Sequence, residues 1–269
     1  MNLYRSASML LLLVGIGGLP FASHADWPQY LGPNRNGISE EKGLARTWPE
    51  GGPKVLWSVT VGEGFAGAAV RDGEVYVLDR TEDKTDNLRC ISLADGKDLW
   101  NYSYEAPGKV GHNGSRNPPT VDEKYVYSVG MMGDFLCIDR KTHTPVWQTN
   151  FVTDLKANLP NWGAAQSPLL YKNLVIVAAQ APDAGVVAYD RGNGNLVWKS
   201  PGLGLPGYVS PTVATLAGVE QLVAIGASNK DATQLGSTDG ISLDDGSILW
   251  KYDGWQCWIP IPNATPLPD

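Results

Sequence analysis

The chain has 269 residues, with 21 Lys plus Arg against 28 Asp plus Glu, a formal net charge of -7. That length supplies ample material for a core, and the acidic balance argues against a phosphate-binding surface for nucleic acid. Three Cys and three His exclude a disulfide framework and leave little for an imidazole metal centre.

Residues 1–25 read as a secretory signal: Arg5 supplies the positive start, an apolar run follows from Met9, and Ser23 and Ala25 place small residues before a cleavage point ahead of Asp26. The run is shorter than the roughly 20 apolar residues a membrane span needs. No Cys lies near the cleavage point, so no lipid anchor is expected there. The expected location is exported, periplasmic or extracellular. A lead segment, 26–56, follows, and the rest of the chain, 57–269, is repetitive.

Five Trp close similar segments: Trp57, Trp100, Trp147, Trp198 and Trp250, at intervals of 43, 47, 51 and 52 residues. The last four align without gaps over eleven residues (90–100, 137–147, 188–198 and 240–250). Each begins with a small residue, Cys90, Cys137, Ala188 or Gly240, and turns at Asp95-Gly96, Asn193-Gly194 or Asp245-Gly246. Such pairs tolerate positive φ and mark hairpins. The second copy departs, with Thr142-His143 at the turn and Pro145 after it. Pro there demands an outer strand or a strand's first residue. Two further strand-like runs precede each hairpin: 66–70 and 74–78, 119–121 and 125–130, 167–170 and 174–179, 209–214 and 221–225. Four short strands per unit, without helical periodicity, predict an all-β propeller of four-stranded antiparallel blades. Each Trp is expected to pack against the neighbouring blade.

This pattern resembles the tryptophan-docking motif of the pyrroloquinoline-quinone (PQQ)-type propeller repeat. That superfamily includes quinoprotein dehydrogenases and the outer-membrane assembly factor BamB. The lead DWPQYLGPNRNG (26–37) is similar to the mature N-terminus of exported members. The resemblance implies seven or eight blades, whereas four full units end near Tyr252 and Trp255 opens a fifth. The expectation is an N-terminal fragment with Trp255 and Trp258 on an open face, poorly soluble or oligomeric on its own. One fold hosts many activities, so the residues must carry the function.

They carry little chemistry. Cys90 and Cys137 share a repeat slot and read as small core residues, and the adjacent Cys pair of the PQQ dehydrogenases is missing. His143 reads as a solvated turn residue, and His112 sits in a long inter-blade loop. Glu82-Asp83 with Asp86, Asp122-Glu123 and Asp244-Asp245 read as solvated loop tips rather than a converging Ca²⁺ site. No catalytic, cofactor-binding or metal-binding residue is assigned. The suggestive feature is the set of loops that end in a Pro before each inner strand. They bring Arg116, Asn117, Gln166, Ser167, Tyr208, Ser210 and Asn263 toward one mouth of the channel, where a polar ring is expected. The leading function is an exported, non-catalytic scaffold that binds a protein or cell-envelope component. The alternatives are a PQQ- and calcium-dependent oxidoreductase with its catalytic groups elsewhere, and a ligand-sensing propeller module.

Overall fold

Each Trp-terminated unit folds as one antiparallel sheet in sequence order. The computed structural model describes residues 26–266, so the signal-like segment 1–25 and the tail 267–269 lie outside the described residues. The first blade is β1 (Ala69–Arg71), β2 (Glu74–Thr81), β3 (Thr85–Ser92) and β4 (Asp98–Glu105). The second is β5 (Thr120–Val121), β6 (Tyr125–Val129), β7 (Asp134–Asp139) and β8 (Pro145–Asn150). The third is β9 (Leu169–Tyr171), β10 (Leu174–Val177), β11 (Val187–Asp190) and β12 (Leu196–Lys199). The fourth is β13 (Thr212–Leu216), β14 (Val219–Gly226), β15 (Gly236–Ile241) and β16 (Ile248–Trp255). Pro145 opens the outer strand β8, where its missing N–H breaks no ladder. Trp255 ends β16 and belongs to the fourth blade, not to the opening of a fifth.

The repeat's slots have a common geometry. Cys90, Cys137, Ala188 and Gly240 lie directly across the ladder from Trp100, Trp147, Trp198 and Trp250. In every blade the register shifts immediately after that small residue. The bulge re-aims the Trp strand, and a small partner leaves room for the indole. At Gly240 even a Cβ would meet the Trp250 ring nitrogen at 2.1 Å.

The indoles then dock on the next hairpin turn. Trp147 Nε1 donates to Arg191 O (3.1 Å), and Trp198 Nε1 donates to Leu243 O (3.1 Å). Trp57, which precedes β1, donates likewise to Leu93 O (2.9 Å) in the first blade's turn. Each indole packs against a turn glycine of positive φ, Gly96, Gly194 or Gly246, where an added Cβ would fall within 2.8 Å of it. The second blade has His143 at that position, at φ 59°. There Trp100 loses its carbonyl partner and stacks on the imidazole instead, with ring centroids 5.2 Å apart. His143 is exposed but stacked, rather than a bare solvated turn residue. Arg140 secures this blade junction: it donates to Tyr76 Oη (2.8 Å) and pairs with Glu74 (2.9 Å) and Asp72 (3.0 Å) of the first blade.

Three buried clusters fill the spaces between successive blades. Tyr76, Leu88, Val126 and Leu136 lie between the first two, Tyr127, Phe135 and Val175 between the next two, and Ile176, Leu222 and Ile241 between the last two. Each fully buried apolar side chain contributes about 1.5–3 kcal/mol. On the outer side of the fourth blade, Leu249, Trp250 and Tyr252 of β16 are exposed.

One short helix, α1 (Phe151–Leu155), interrupts the β pattern after β8, contrary to the expectation of no helix. Asn150 caps it by accepting from the Val152 and Thr153 amides, and Asp154 sits in its first turn. Two acidic positions read as solvated are buried. Asp86 pairs with Arg80 at 2.6 Å, both side chains fully buried. Asp122 accepts from the amides of Lys124 and Tyr125 and from Tyr127 Oη.

Candidate functional site at the channel mouth

The lead crosses the first strands of the blades. Trp27 exchanges backbone hydrogen bonds with Val70 beside β1 (2.8 and 2.9 Å), and Pro28 O accepts from Val121 N in β5 (2.8 Å). Gly32, at φ +79°, lies so close to the Trp27 ring that no side chain fits there. Arg35 donates to Pro168 O and Pro211 O, both at 3.2 Å, just before β9 and β13. Tyr30 Oη reaches Asn263 (3.5 Å). Burial pulls the Arg35 guanidinium down to about 10, against a weaker opposing influence from Tyr30. Arg35→Ala is expected to destabilise the fold by about 1.5–3 kcal/mol, the range for hydrogen bonds to a charged group. It should also raise amide exchange at Trp27 and Val70. Unchanged exchange there would show that the lead is held without Arg35. Lys should not rescue, because one ammonium does not span two carbonyls as the fork does.

The loops between blades are tied to one another by several residues of the expected polar ring. Asn117 is buried and donates to Val129 O (3.0 Å) and to Ala164 O (3.3 Å) in the next loop. Gln166, also buried, donates to Gly207 O (2.7 Å), and Ser167 N donates to Ser210 Oγ (2.9 Å). Asn263 donates to Ser210 O (3.0 Å) and Thr212 Oγ1 (3.2 Å). Asn117, Gln166 and Asn263 are thus staples that set each loop against its neighbour.

Arg116, Ser167, Tyr208 and Ser210 line one cleft of about 260 Å³, together with Tyr30 and Trp162. The structure therefore gathers four of the seven expected residues at one place. Asn263 instead lines a cleft of about 730 Å³ between the lead and strands β9 and β13. Burial lowers the Arg116 pKa and raises that of Tyr208. Arg116 lies over the Phe65 ring at 5.3 Å and donates to the backbone of its own loop at Gly114 (2.6 Å) and His112.

Sequence reading named Tyr208 for this mouth but missed the aromatic series to which it belongs. Phe65, His112, Trp162 and Tyr208 come from four successive connections, with neighbouring ring centroids 6.5, 6.1 and 5.2 Å apart. With Trp258 they recur at intervals of 47, 50, 46 and 50 residues, a signal masked by the stronger docking-Trp repeat.

Cys90 and Cys137 sit in the blade cores rather than at the mouth, and both are free. Burial pushes the Cys90 thiol up to about 12 and that of Cys137 higher still. Only the half-exposed Cys257 is expected to alkylate in the native protein near pH 8, since the thiolate is the nucleophile. Mass spectrometry should find one modified thiol before unfolding and three after it. Native labelling of Cys90 would contradict the buried assignment. Among the described residues, no three His, Cys, Asp or Glu side chains converge on a point that would hold a metal ion.

The family profile described as outer membrane protein assembly factor BamB matches residues 84–253. The chain belongs to this family. BamB from Moraxella catarrhalis superposes with a TM-score of 0.53 at 18% identity, covering 75% of this chain and 55% of that one. Quinohemoprotein alcohol dehydrogenase from Comamonas testosteroni gives 0.59 at 18% identity, covering 86% and 41%. A europium-containing methanol dehydrogenase gives 0.56 at 15% identity, covering 76% and 44%. At these identities the likeness establishes the propeller fold shared by BamB and the quinoproteins. The chain spans about half the length of these structures. A comparison with curated protein sequences finds no match.

Proposed function

We propose that this BamB-family chain is an exported, non-catalytic propeller scaffold that holds another cell-envelope component against the loops of one channel mouth. The observation that carries this reading is the composition of the mouth. Phe65, His112, Trp162 and Tyr208 present ring surface beside Arg116, while several polar loop residues tie loop to loop. A rigid frame displaying rings and a cation suits recognition. Export rests on the signal pattern of residues 1–25, and an envelope setting agrees with the family's description as an outer membrane assembly factor. Among the described residues, no helix is long and apolar enough to cross a membrane.

The quinoprotein reading asks the same residues to hold PQQ and Ca²⁺, and those described do not fit. Calcium takes six to eight converging oxygens. Asn117 and Gln166 are engaged between loops, and Asp86 and Asp122 are engaged within the blades. The cysteines of the blades face their docking Trp partners.

Fractionation of the native host tests the scaffold. The protein should sediment with envelope material, and Trp162→Ala with Arg116→Glu should release it into the soluble exported fraction, a thermal melt checking that the variant still folds. Wild-type protein found wholly in the soluble fraction, or unmoved by both substitutions, would overturn the reading.

A further inference from the structure

We propose that the channel mouth is an open binding groove for an acidic polysaccharide, running from Phe65 to Trp258. This rests on the scaffold reading and names the chemical class of what is held. Three clefts adjoin there. The Phe65 cleft shares Arg116 and Trp162 with the central one, which shares Trp162 and Tyr208 with the cleft reaching Trp258. Together they form a trough open along its length rather than a pocket that encloses a compact ligand, as most small-molecule sites do.

Charge decides the sign of the ligand. The whole chain carries 28 acidic residues against 21 basic ones, yet among the described residues no Asp or Glu lines any of the three clefts. The permanent charges are Arg116, over Phe65 at 5.3 Å, and Lys230, over Trp258 at 5.6 Å. Two cations, one at each end of a carboxylate-free trough on an acidic protein, complement an extended anion. Two cations on so acidic a chain are too few for the phosphate contacts on which nucleic-acid affinity depends.

Ring surface and neutral donors decide the class. Phe65 is 67% and Trp258 47% exposed, which leaves ring surface open for a ligand to stack on. A sugar ring presents a flat C–H face to such rings and hydroxyls at its edge. Between Trp162 and Trp258 the trough supplies the exposed Asn158 and Asn161 for those hydroxyls. An extended peptide added as a strand needs a free ladder of N–H and C=O groups. Among the described residues, none that lines the three clefts belongs to a strand. Carboxylates or sulfates along the glycan would pair with Arg116 and Lys230.

The test is affinity electrophoresis and Trp fluorescence titration of the full chain against polygalacturonate, dextran sulfate, neutral dextran and poly-glutamate. Polygalacturonate, dextran sulfate or both should bind, neutral dextran should not, and added salt should weaken binding. Comparing the two acidic polymers separates a carboxylate from a sulfate preference. Trp162→Ala and Lys230→Glu should each weaken binding by about tenfold, the loss of one significant contact. Lys230 is exposed, so that variant tests the groove with little risk to folding, and a thermal melt checks both. Binding that ignores both substitutions, equal binding of poly-glutamate, or no binding of either acidic polysaccharide would overturn the proposal. If the protein still sediments with envelope while ignoring every polysaccharide, the groove assignment fails and the scaffold stands. If it binds polygalacturonate but is freely soluble in its host, the scaffold fails instead.

Discussion

Trp198→Ala is expected to destabilise the protein by about 3–5 kcal/mol, the range for deleting a large buried aromatic. Trp198 is 6% exposed, packs among Ile176, Leu222 and Ile241, and bonds to the next blade's turn. No neighbouring side chain can refill that space cheaply, because a turn glycine forms one wall. Trp198→Phe should keep much of the packing and lose the hydrogen bond, costing less. Trp250→Ala is the internal control. Its indole is 37% exposed and bonds within its own blade to Gln221 Oε1. Urea unfolding of the three variants checks the order. A Trp198→Ala loss no larger than that of Trp250→Ala would show that the indole does not cement adjacent blades.

Arg80→Ala should be comparably damaging, for a different reason. Arg80 donates to Asp86 (2.6 Å), Ala106 O (2.6 Å) and Gly108 O (2.8 Å) and is wholly buried. Removing it leaves a buried carboxylate uncompensated, a loss of about 3–5 kcal/mol. Burial already raises the Asp86 pKa, with Arg80 opposing the rise. The matching experiment is Arg80→Met with Asp86→Leu, which should recover most of the loss because neither charge remains. Failure of the pair to recover would place the importance of Arg80 in the two carbonyls. Those carbonyls begin the loop that carries His112 and Arg116, so Arg80 also fixes one wall of the mouth.

The blades were legible because their signals are local. A small residue, an Asp-Gly or Asn-Gly turn and a Trp lie within eleven residues, and every strand expected at 66–78, 119–130, 167–179 and 209–225 has a counterpart. What escaped was non-local. Arg35 finds its acceptors 133 and 176 residues away, and they are carbonyls, which no residue type announces. Asp86 and Asp122 look like ordinary turn acids until Arg80, Tyr127 and the local amides enclose them. His143 was legible as a departure from the glycine turn, but its stacking on Trp100 depends on how two blades meet. At the mouth, attention to polar residues before each Pro found Arg116 and Tyr208. It also found Asn117 and Gln166, which fasten the loops together. The aromatic series was present in the sequence, but irregular distances to the following strand hid its common side.

The most direct test of the non-catalytic reading is titration of the protein with PQQ in the presence of Ca²⁺, following cofactor absorbance and thermal unfolding. The scaffold account predicts no saturable change up to high micromolar PQQ and no dye-linked alcohol oxidation. Stoichiometric binding with a stabilisation of a few kcal/mol, the size a ligand far above its dissociation constant gives, would contradict it and make the chain part of an oxidoreductase.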